Sequence, residues 1–282
     1  MARTKTWEPA LSASRAKEYR RCPLQYRLHV VDGFTDPPTH ATAMGTLIHS
    51  VLEDLFDLPA HERTVTYAQK LLSEHWQKTC EETPEVLSLF PVTDLQDDPL
   101  AQVRSLISSY FDIEKPQHIS PVAREYHAEA VTPGGVRLRG FIDRIDRSPE
   151  GLLRVVDYKT GKAPAPRFVE DALYQMRFYA LLLMLKDRFP ARLQLVYLRS
   201  GRVLTLDPER EDIIRFGKDV ETTWASIEKD AHQGVFTPRP NPLCQWCGVR
   251  FACPEFGGVV PELSEEKITR LLSTRISTST RT

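Results

Sequence analysis

The spacing of hydrophobic and polar positions divides the chain into a helical first part and a strand-rich middle part. Apolar residues recur every three or four positions from about 42 to 56, which predicts an amphipathic helix. Weaker patterns of the same kind predict helices at about 14–22, 66–80 and 98–114. Residues 81–99 are acidic and punctuated by proline, so we expect a loop or an insertion there.

After Pro121 the pattern changes to three consecutive predicted strands, at residues 123–131, 136–147 and 152–160. Two turn signals, Pro-Gly-Gly and Ser-Pro-Glu-Gly, separate these strands. The third strand is apolar on both faces, which is typical of a central strand covered on both sides. Further predicted elements are a helix at 167–188, a hairpin-like pair of strands around Ser200 and Gly201, and a helix at 208–232.

These elements indicate one α/β domain at residues 1–270, in which helices flank a central sheet. We place its core at about residues 42–232. The following segment, residues 234–258, is rich in proline and cysteine and has too few apolar residues for a core of its own. Residues 271–282 are polar and of low complexity, which predicts a disordered tail.

Composition narrows the class of protein. Hydrophobic residues make up 41% and charged residues 27%, as in ordinary soluble domains. Lysine and arginine (37) nearly balance aspartate and glutamate (38), so any nucleic-acid surface has to be local. The chain lacks the apolar core of a signal peptide and any apolar run that could cross a bilayer, so we expect a cytoplasmic protein without a membrane partner.

A carboxylate and an ammonium are held side by side at the end of the third predicted strand. Asp157 and Lys159 are two residues apart and project from one face, while Tyr158 points away. Asp143 on the preceding strand adds a second carboxylate if the hairpin register allows. Such oxygens suit Mg²⁺ or Mn²⁺, which could activate water for attack on a phosphodiester while Lys159 orients that water. Taken alone, this tripeptide is more often a surface ion pair than a site.

The order of the motifs along the chain is more specific than any one of them. GTLIHSVLEDLF precedes GFIDRID, DYKTGK, and then a helix that carries Gln175 and Tyr179. In this order the motifs resemble the RecB-type nuclease family of the PD-(D/E)XK superfamily, from SASRAKEYRRCPLQYRL to the final cysteines. The resemblance implies the PD-(D/E)XK nuclease fold, with a central mixed sheet flanked by helices, and a metal-dependent DNA nuclease. It further implies exonucleolytic action on single-stranded DNA, in DNA repair or recombination.

The resemblance assigns a role to each residue of the metal site. The implied metal ligands are His49, Asp143, Asp157 and the backbone carbonyl of Tyr158. Lys159 is the implied catalytic lysine, acting with the two aspartates. On its own, His49 lies at the edge of the apolar stripe of its helix, where a histidine more often packs than binds a metal.

Three further positions follow from the same resemblance. Gln175 and Tyr179 are four residues apart and share a helix face, from which they would support the site or contact DNA. Glu125 matches an acidic position of the family, although Glu129 competes for the same assignment.

The cysteines form a separate pattern, and their odd number in a reducing compartment favours a metal site or a reactive thiol over disulfides. Three follow the spacing C-x2-C-x5-C and a fourth lies far upstream: Cys244, Cys247, Cys253 and Cys22. Four thiolates can hold a zinc ion or an iron-sulfur cluster. Three clustered cysteines and a distant one resemble the iron-sulfur subgroup of this nuclease family, which includes the AddB nuclease and certain CRISPR-associated nucleases.

That resemblance implies a 4Fe-4S cluster, with zinc and unligated thiols as the alternatives. Both an iron-sulfur cluster and a zinc ion would join residues 12–30 to residues 234–258. Cys80 fits no part of the pattern.

Two other functions are compatible with the same fold. A nuclease that trims spacers in CRISPR adaptation would share the chemistry and differ in its partners. A non-catalytic DNA-binding scaffold subunit would keep the fold without the chemistry, but a degenerate site is expected to lose some of its motif residues. A protein partner such as a helicase is compatible with the sequence without being indicated by it.

Overall fold

A five-stranded mixed sheet forms the centre of the protein in a computed structural model, which describes residues 9–91 and 98–276. The strands lie in sequence order: β1 (Pro121–Val131), β2 (Arg137–Arg147), β3 (Leu153–Lys159), β4 (Arg192–Tyr197) and β5 (Arg202–Leu206). β3 and β4 pair in parallel, because a helix crosses over between them, whereas the other neighbours pair antiparallel.

The helices cover both faces of this sheet. They are α1 (Ala13–Arg21), α2 (Pro23–Val30), α3 (His40–Leu55), α4 (Val65–Glu82), α5 (Ala101–Ile113), α6 (Val169–Met184), α7 (Arg210–Gln233) and α8 (Glu265–Leu272). One hydrophobic core, the α6 core, lies between the sheet and α1, α6 and α7. The α3 core lies on the opposite face, against α3, α4 and α5. None of the helices in the described ranges is both long enough and apolar enough to span a membrane.

The sequence predicted the five strands and six of the eight α-helices in the described ranges to within a few residues at each end. β3 contributes Val155 to the α6 core and Val156 and Tyr158 to the α3 core, which confirms a central strand covered on both sides. α3 starts at a reciprocal cap between the side chains and backbone of Thr39 and Thr42. The loop expected at residues 81–99 includes a 3-10 segment at Pro84–Leu89, and its residues 92–97 lie outside the described ranges.

The two ends of the chain required correction. Pro23 starts a second helix instead of only interrupting the first, because a proline at the first helical position gives up no hydrogen bond. α1 belongs to the α6 core through residues such as Ala16, so the predicted core at 42–232 is too narrow.

The predicted tail starts too early, because residues 271–276 are part of the fold. Leu271 of α8 is buried in the α6 core, and Arg275 pairs with Val136 beside β2 and binds Glu228 at 2.8 Å. The periodicity of α8 is short and its apolar residues are few, so the sequence pattern did not reveal it. Residues 277–282 of the predicted tail lie outside the described residues.

Residues 234–258 fold back onto α1 and α2. Leu24 and Leu28 form a small apolar cluster with Val249 and Ala252 of this segment. The guanidinium of Arg239 donates to the backbone carbonyl of Arg20. The C-terminal segment is thus held against the first two helices.

Candidate active site

The candidate site lies where β2 and β3 separate. β2 pairs with β3 only over residues 144–147. Beyond this point the backbone N–H of Tyr158 donates to Asp143 Oδ2 at 2.7 Å, so a side chain replaces the backbone partner. Leu11 forms a backbone bridge with the other end of β2. An opening therefore remains along residues 140–143, between Leu11 and β3.

The alternation of side chains breaks on β1 and β2 at this opening. Ile142 and Ile145 both face the α6 core although they are three residues apart. Between them lies Asp143, and Glu125 occupies the matching position on β1, between the register pairs Arg124–Arg144 and Tyr126–Ile142. Glu125 has a φ of +39°, in the left-handed region that side chains rarely adopt. The break turns both carboxylates toward α3.

His49 of α3 completes a group of three candidate metal ligands. Its Nδ1 lies 3.5 Å from Asp143 Oδ2 and 3.9 Å from Glu125 Oε1. Among the described residues, these three form the group of acidic, histidine or cysteine ligands whose atoms lie within 4.8 Å of one another. The Nε2 atom of His49 lies 3.2 Å from the carbonyl oxygen of Tyr158. If Nε2 donates there, Nδ1 is left to bind a metal, which fits a divalent cation shared with two carboxylates.

The electrostatics of the group favour a cation. Burial alone would lower the pKa of His49, but hydrogen bonds to Asp143 and Glu125 raise it to about 10. Burial and the charge of Asp143 raise the pKa of Asp157 to about 6, against the opposing charges of Lys159 and His49. A potential negative enough to hold an imidazolium also stabilises a divalent cation among these carboxylates.

A row of hydrogen bonds from β3 to α6 forms the other half of the site. Lys159 Nζ lies 2.6 Å from Asp157 Oδ2 and donates to Gln175 Oε1 at 2.9 Å. Gln175 Nε2 in turn donates to Asp157 Oδ1 at 3.0 Å and to the Tyr179 hydroxyl at 2.6 Å. Gln175 therefore holds both charged side chains of β3 in place.

The charge of Lys159 follows from the same contacts. Burial would lower the pKa of Lys159, but the carboxylate of Asp157 raises it above its ordinary value. Lys159 is therefore an ammonium at neutral pH, with its charge beside the group of candidate metal ligands.

α6 can approach β2 closely because residue 140 is a glycine. A Cβ atom at Gly140 would lie 3.0 Å from the ring of Tyr179 and 3.0 Å from Leu182. Such a contact is tighter than nearly all real Cβ contacts, so either α6 or β2 would have to move. Gly140 thus sets the distance between the two halves of the site.

The residues that the sequence singled out lie close together in the structure. They form two groups of contacts, and not one set of metal ligands. The carboxylate of Asp157 contacts Lys159 and Gln175, so it lies outside the three-ligand group. Of the two competing glutamates, Glu125 lies beside His49, whereas Glu129 lies farther along β1, 3.4 Å from His127.

Arg144 is a buried residue next to the site that the sequence analysis missed. Its side chain is 1% exposed and lies 2.7 Å from Glu114 and 2.9 Å from Asp146. It also donates to the Tyr158 hydroxyl on the face of β3 opposite Asp157. The sequence could have revealed this residue, because it is an arginine within a strand of the central sheet, where a buried charge requires buried partners. Arg144 anchors the strand that carries Asp157 and Lys159.

The four cysteines of the predicted metal centre line one cavity of about 240 Å³. Cys22 lies between α1 and α2, opposite the cysteines of the C-terminal segment. Two backbone N–H groups point at sulfur: Arg239 N lies 3.4 Å from Cys22 Sγ, and Asn241 N lies 3.3 Å from Cys244 Sγ. Cys80 lies elsewhere, on α4 against the α3 core.

Comparison with known proteins places this chain in a family. The model of the PD-(D/E)XK nuclease superfamily matches residues 10–254. Gene 69 protein of Mycobacterium phage L5 is 27% identical, covering 91% of this chain and 100% of the phage protein. Gene 69 protein of Mycobacterium phage D29 is 25% identical, covering 88% and 97%.

A solved structure agrees with the family at the level of the fold. The crystal structure of a "Putative exonuclease" from Eubacterium rectale has a TM-score of 0.53 at 13% identity, covering 88% of this chain and 92% of that one. At this identity the likeness concerns the fold alone. Because the family model covers more than half of the sequence, the chain belongs to the PD-(D/E)XK nuclease superfamily.

Proposed function

We propose that this protein is a divalent-metal-dependent exonuclease that acts on single-stranded DNA in repair or recombination. The observation that carries the proposal is the complete set of polar side chains at the opening between β2 and β3. A complete set supports an enzyme over a non-catalytic scaffold. The structural neighbour from Eubacterium rectale is named an exonuclease, which supports the same type of activity for this protein.

In this proposal His49, Glu125 and Asp143 hold the cation, and Asp157 and the backbone carbonyl of Tyr158 are the further ligands beside them. A bound divalent cation would neutralise charge on the phosphate and lower the pKa of the attacking water. Lys159 would stabilise negative charge on the phosphate, or orient the water, with its ammonium. Gln175 keeps that ammonium in position, because it accepts a hydrogen bond from Lys159 and donates one to Asp157.

The test is digestion of end-labelled single strands with Mn²⁺ by Asp157→Ala and Lys159→Ala variants. We expect cleavage to fall by about 10²-fold or more in each variant, because an ammonium or ligand at the reacting phosphate is lost. Lys162→Ala is the matched control, since Lys162 is exposed and only three residues from Lys159. Full activity in both site variants would contradict the proposed site. Cleavage of circular single strands would contradict exonucleolytic action.

The four cysteines are proposed to hold a 4Fe-4S cluster. All four line one cavity, which supports a single group bound by four thiolates. Three clustered cysteines and a distant fourth support a cluster over zinc, because this spacing resembles the iron-sulfur subgroup of the nuclease family.

Analysis of the metal after anaerobic purification tests the cluster. We expect broad visible absorbance, with iron and acid-labile sulfide in equal amounts, about four of each per chain. Stoichiometric zinc without sulfide would contradict the cluster in favour of a zinc site.

A further inference from the structure

Two consecutive residues of β1, Arg124 and Glu125, both face α3. In a regular strand, neighbouring side chains point to opposite faces of the sheet. Here the flanking residues Ala123 and Tyr126 both pack against the α6 core on the other face, although they are three residues apart. The left-handed φ of Glu125 breaks the alternation at this point, so that two side chains in a row share the α3 face.

The guanidinium of Arg124 binds the end of α3 at two points. Its Nη1 donates to the backbone carbonyl of Glu53 at 3.1 Å. Its Nη2 lies 2.5 Å from Oδ1 of Asp57, just after the helix. Carbonyls in the last turn of a helix carry partial negative charge, which stabilises a cation there in addition to the ion pair. Arg124 therefore ties β1 to the C-terminal end of α3.

This tie lies beside the candidate metal ligands. Glu125 is the next residue after Arg124, and His49 lies four residues before Glu53, on the same side of α3. The contacts of Arg124 thus join the two elements that hold Glu125 and His49 at 3.9 Å.

The charges around Glu125 oppose its position. Burial, and after it the charge of Glu125, raise the pKa of Glu53, whereas Arg124 acts in the opposite direction. The carboxylates of Glu125 and Glu53 therefore repel each other across the contact between β1 and α3. A left-handed φ at a residue with a side chain is also unfavourable, and it persists only where the surrounding contacts maintain it. Arg124 provides such contacts on the residue next to Glu125.

We propose that Arg124 is a positioning residue of the metal site, which keeps Glu125 in its left-handed conformation with its carboxylate toward His49. Without the contacts of Arg124, Glu125 would return to an extended conformation, and its carboxylate would turn to the other face of β1. The cation would then lose one of its ligands. This inference rests on the proposed function, because it takes His49, Glu125 and Asp143 as ligands of the cation.

The test is the affinity of the full-length protein for Mn²⁺, measured by isothermal titration with MnCl₂. We expect Arg124→Ala to weaken binding by about tenfold or more, as for loss of a residue that orients a ligand. The direction is informative, because removal of a nearby positive charge would by itself strengthen the binding of a cation. Arg124→Lys keeps a cation at the end of α3 and should recover part of the affinity.

A double variant tests whether Arg124 acts through Glu125. Arg124→Ala combined with Glu125→Gln should bind Mn²⁺ no more weakly than Glu125→Gln alone, because both changes remove the same ligand. Arg192→Ala is the matched control and should bind like the wild type. Arg192 is also a strand arginine paired with a carboxylate, Asp207 at 2.7 Å, but it lies beside the end of β3 opposite Lys159.

The outcomes separate this role from the nuclease function. If Arg124→Ala binds Mn²⁺ as tightly as the wild type or more tightly, while Glu125→Gln binds weakly, the role of Arg124 is wrong and the metal site stands. Additive losses in the double variant would also contradict it. If Arg124→Ala does not fold in a thermal scan, an affinity of Arg124→Lys between those of the wild type and Glu125→Gln gives the same readout. If the expected affinities are found but the wild type does not cut single strands with Mn²⁺, the role of Arg124 stands and the nuclease proposal is wrong.

Discussion

The conformation of one residue, Glu125, decides which carboxylates meet at the site. A left-handed φ at a non-glycine residue costs on the order of 1–3 kcal/mol, and it persists only where surrounding contacts maintain it. Here it places the carboxylate of Glu125 3.9 Å from His49, across from Asp143. Glu129 lies on the regular part of the same strand, beside His127. The sequence could not choose between the two glutamates because both are polar positions of one strand.

We expect Glu125→Gln to weaken Mn²⁺ binding by at least about tenfold, since an amide is a poorer ligand than a carboxylate. Isothermal titration of the purified protein with MnCl₂ measures the affinity. Glu129→Gln on the same strand is the control and should bind Mn²⁺ like the wild type. Equal affinities in the two variants would remove Glu125 from the metal site.

At the scale of the elements, β2 connects the site to the α3 core. The side chain of Arg144 contacts Asp146 on the same strand. It also joins β2 to Glu114, just after α5, and to the hydroxyl of Tyr158 on β3. A buried ion pair of this kind is weak evidence for stability, but loss of Arg144 leaves Glu114 and Asp146 buried with only the partly exposed Arg154 beside them. The position of β3, and with it that of Asp157 and Lys159, therefore depends on a residue that faces away from the site.

Arg144→Ala should lower the free energy of unfolding by about 3–5 kcal/mol, because Glu114 and Asp146 lose a buried countercharge. Arg154→Ala is the control, since Arg154 contacts the same two carboxylates from a position that is 33% exposed. For that variant we expect a loss of at most about 1 kcal/mol. Urea unfolding followed by circular dichroism measures both, and equal losses would contradict the role of Arg144.

At the scale of the whole molecule, the two ends of the chain meet at the cysteine cavity. α1 ends next to Cys22, which faces Cys244, Cys247 and Cys253 across that cavity. α1 also packs into the α6 core. A metal centre in the cavity would therefore hold the C-terminal segment against a helix of that core.

Loss of that metal centre should loosen residues 234–258. We expect Cys22→Ser to lower the thermal unfolding midpoint by several degrees, at about 2–4 °C for each kcal/mol lost, and to speed proteolysis of this segment. Scanning fluorimetry and limited proteolysis measure the two effects. Cys80→Ser, outside the cavity, should behave like the wild type, and an unchanged Cys22→Ser protein would contradict a structural metal centre.

The sequence by itself determined most of the elements, although not α2 and α8, and most of the candidate site residues. Hydrophobic periodicity is a local property, so it predicted α3, the three strands from residue 123 onward and the central position of β3. The spacing within a strand likewise placed Asp157 and Lys159 on one face, with Tyr158 on the other. The family resemblance carried by the order of the motifs added His49, Asp143 and the pair on α6.

Only the tertiary structure decided which of these residues contact one another in the site. The opening between β2 and β3, the choice of Glu125 over Glu129, and the pairing of Asp157 with Lys159 and Gln175 depend on strand register and helix packing. The same holds for the buried partners of Arg144 and for α1 in the core. These contacts join residues far apart in the chain, and no local pattern of hydrophobic and polar positions encodes which of them meet.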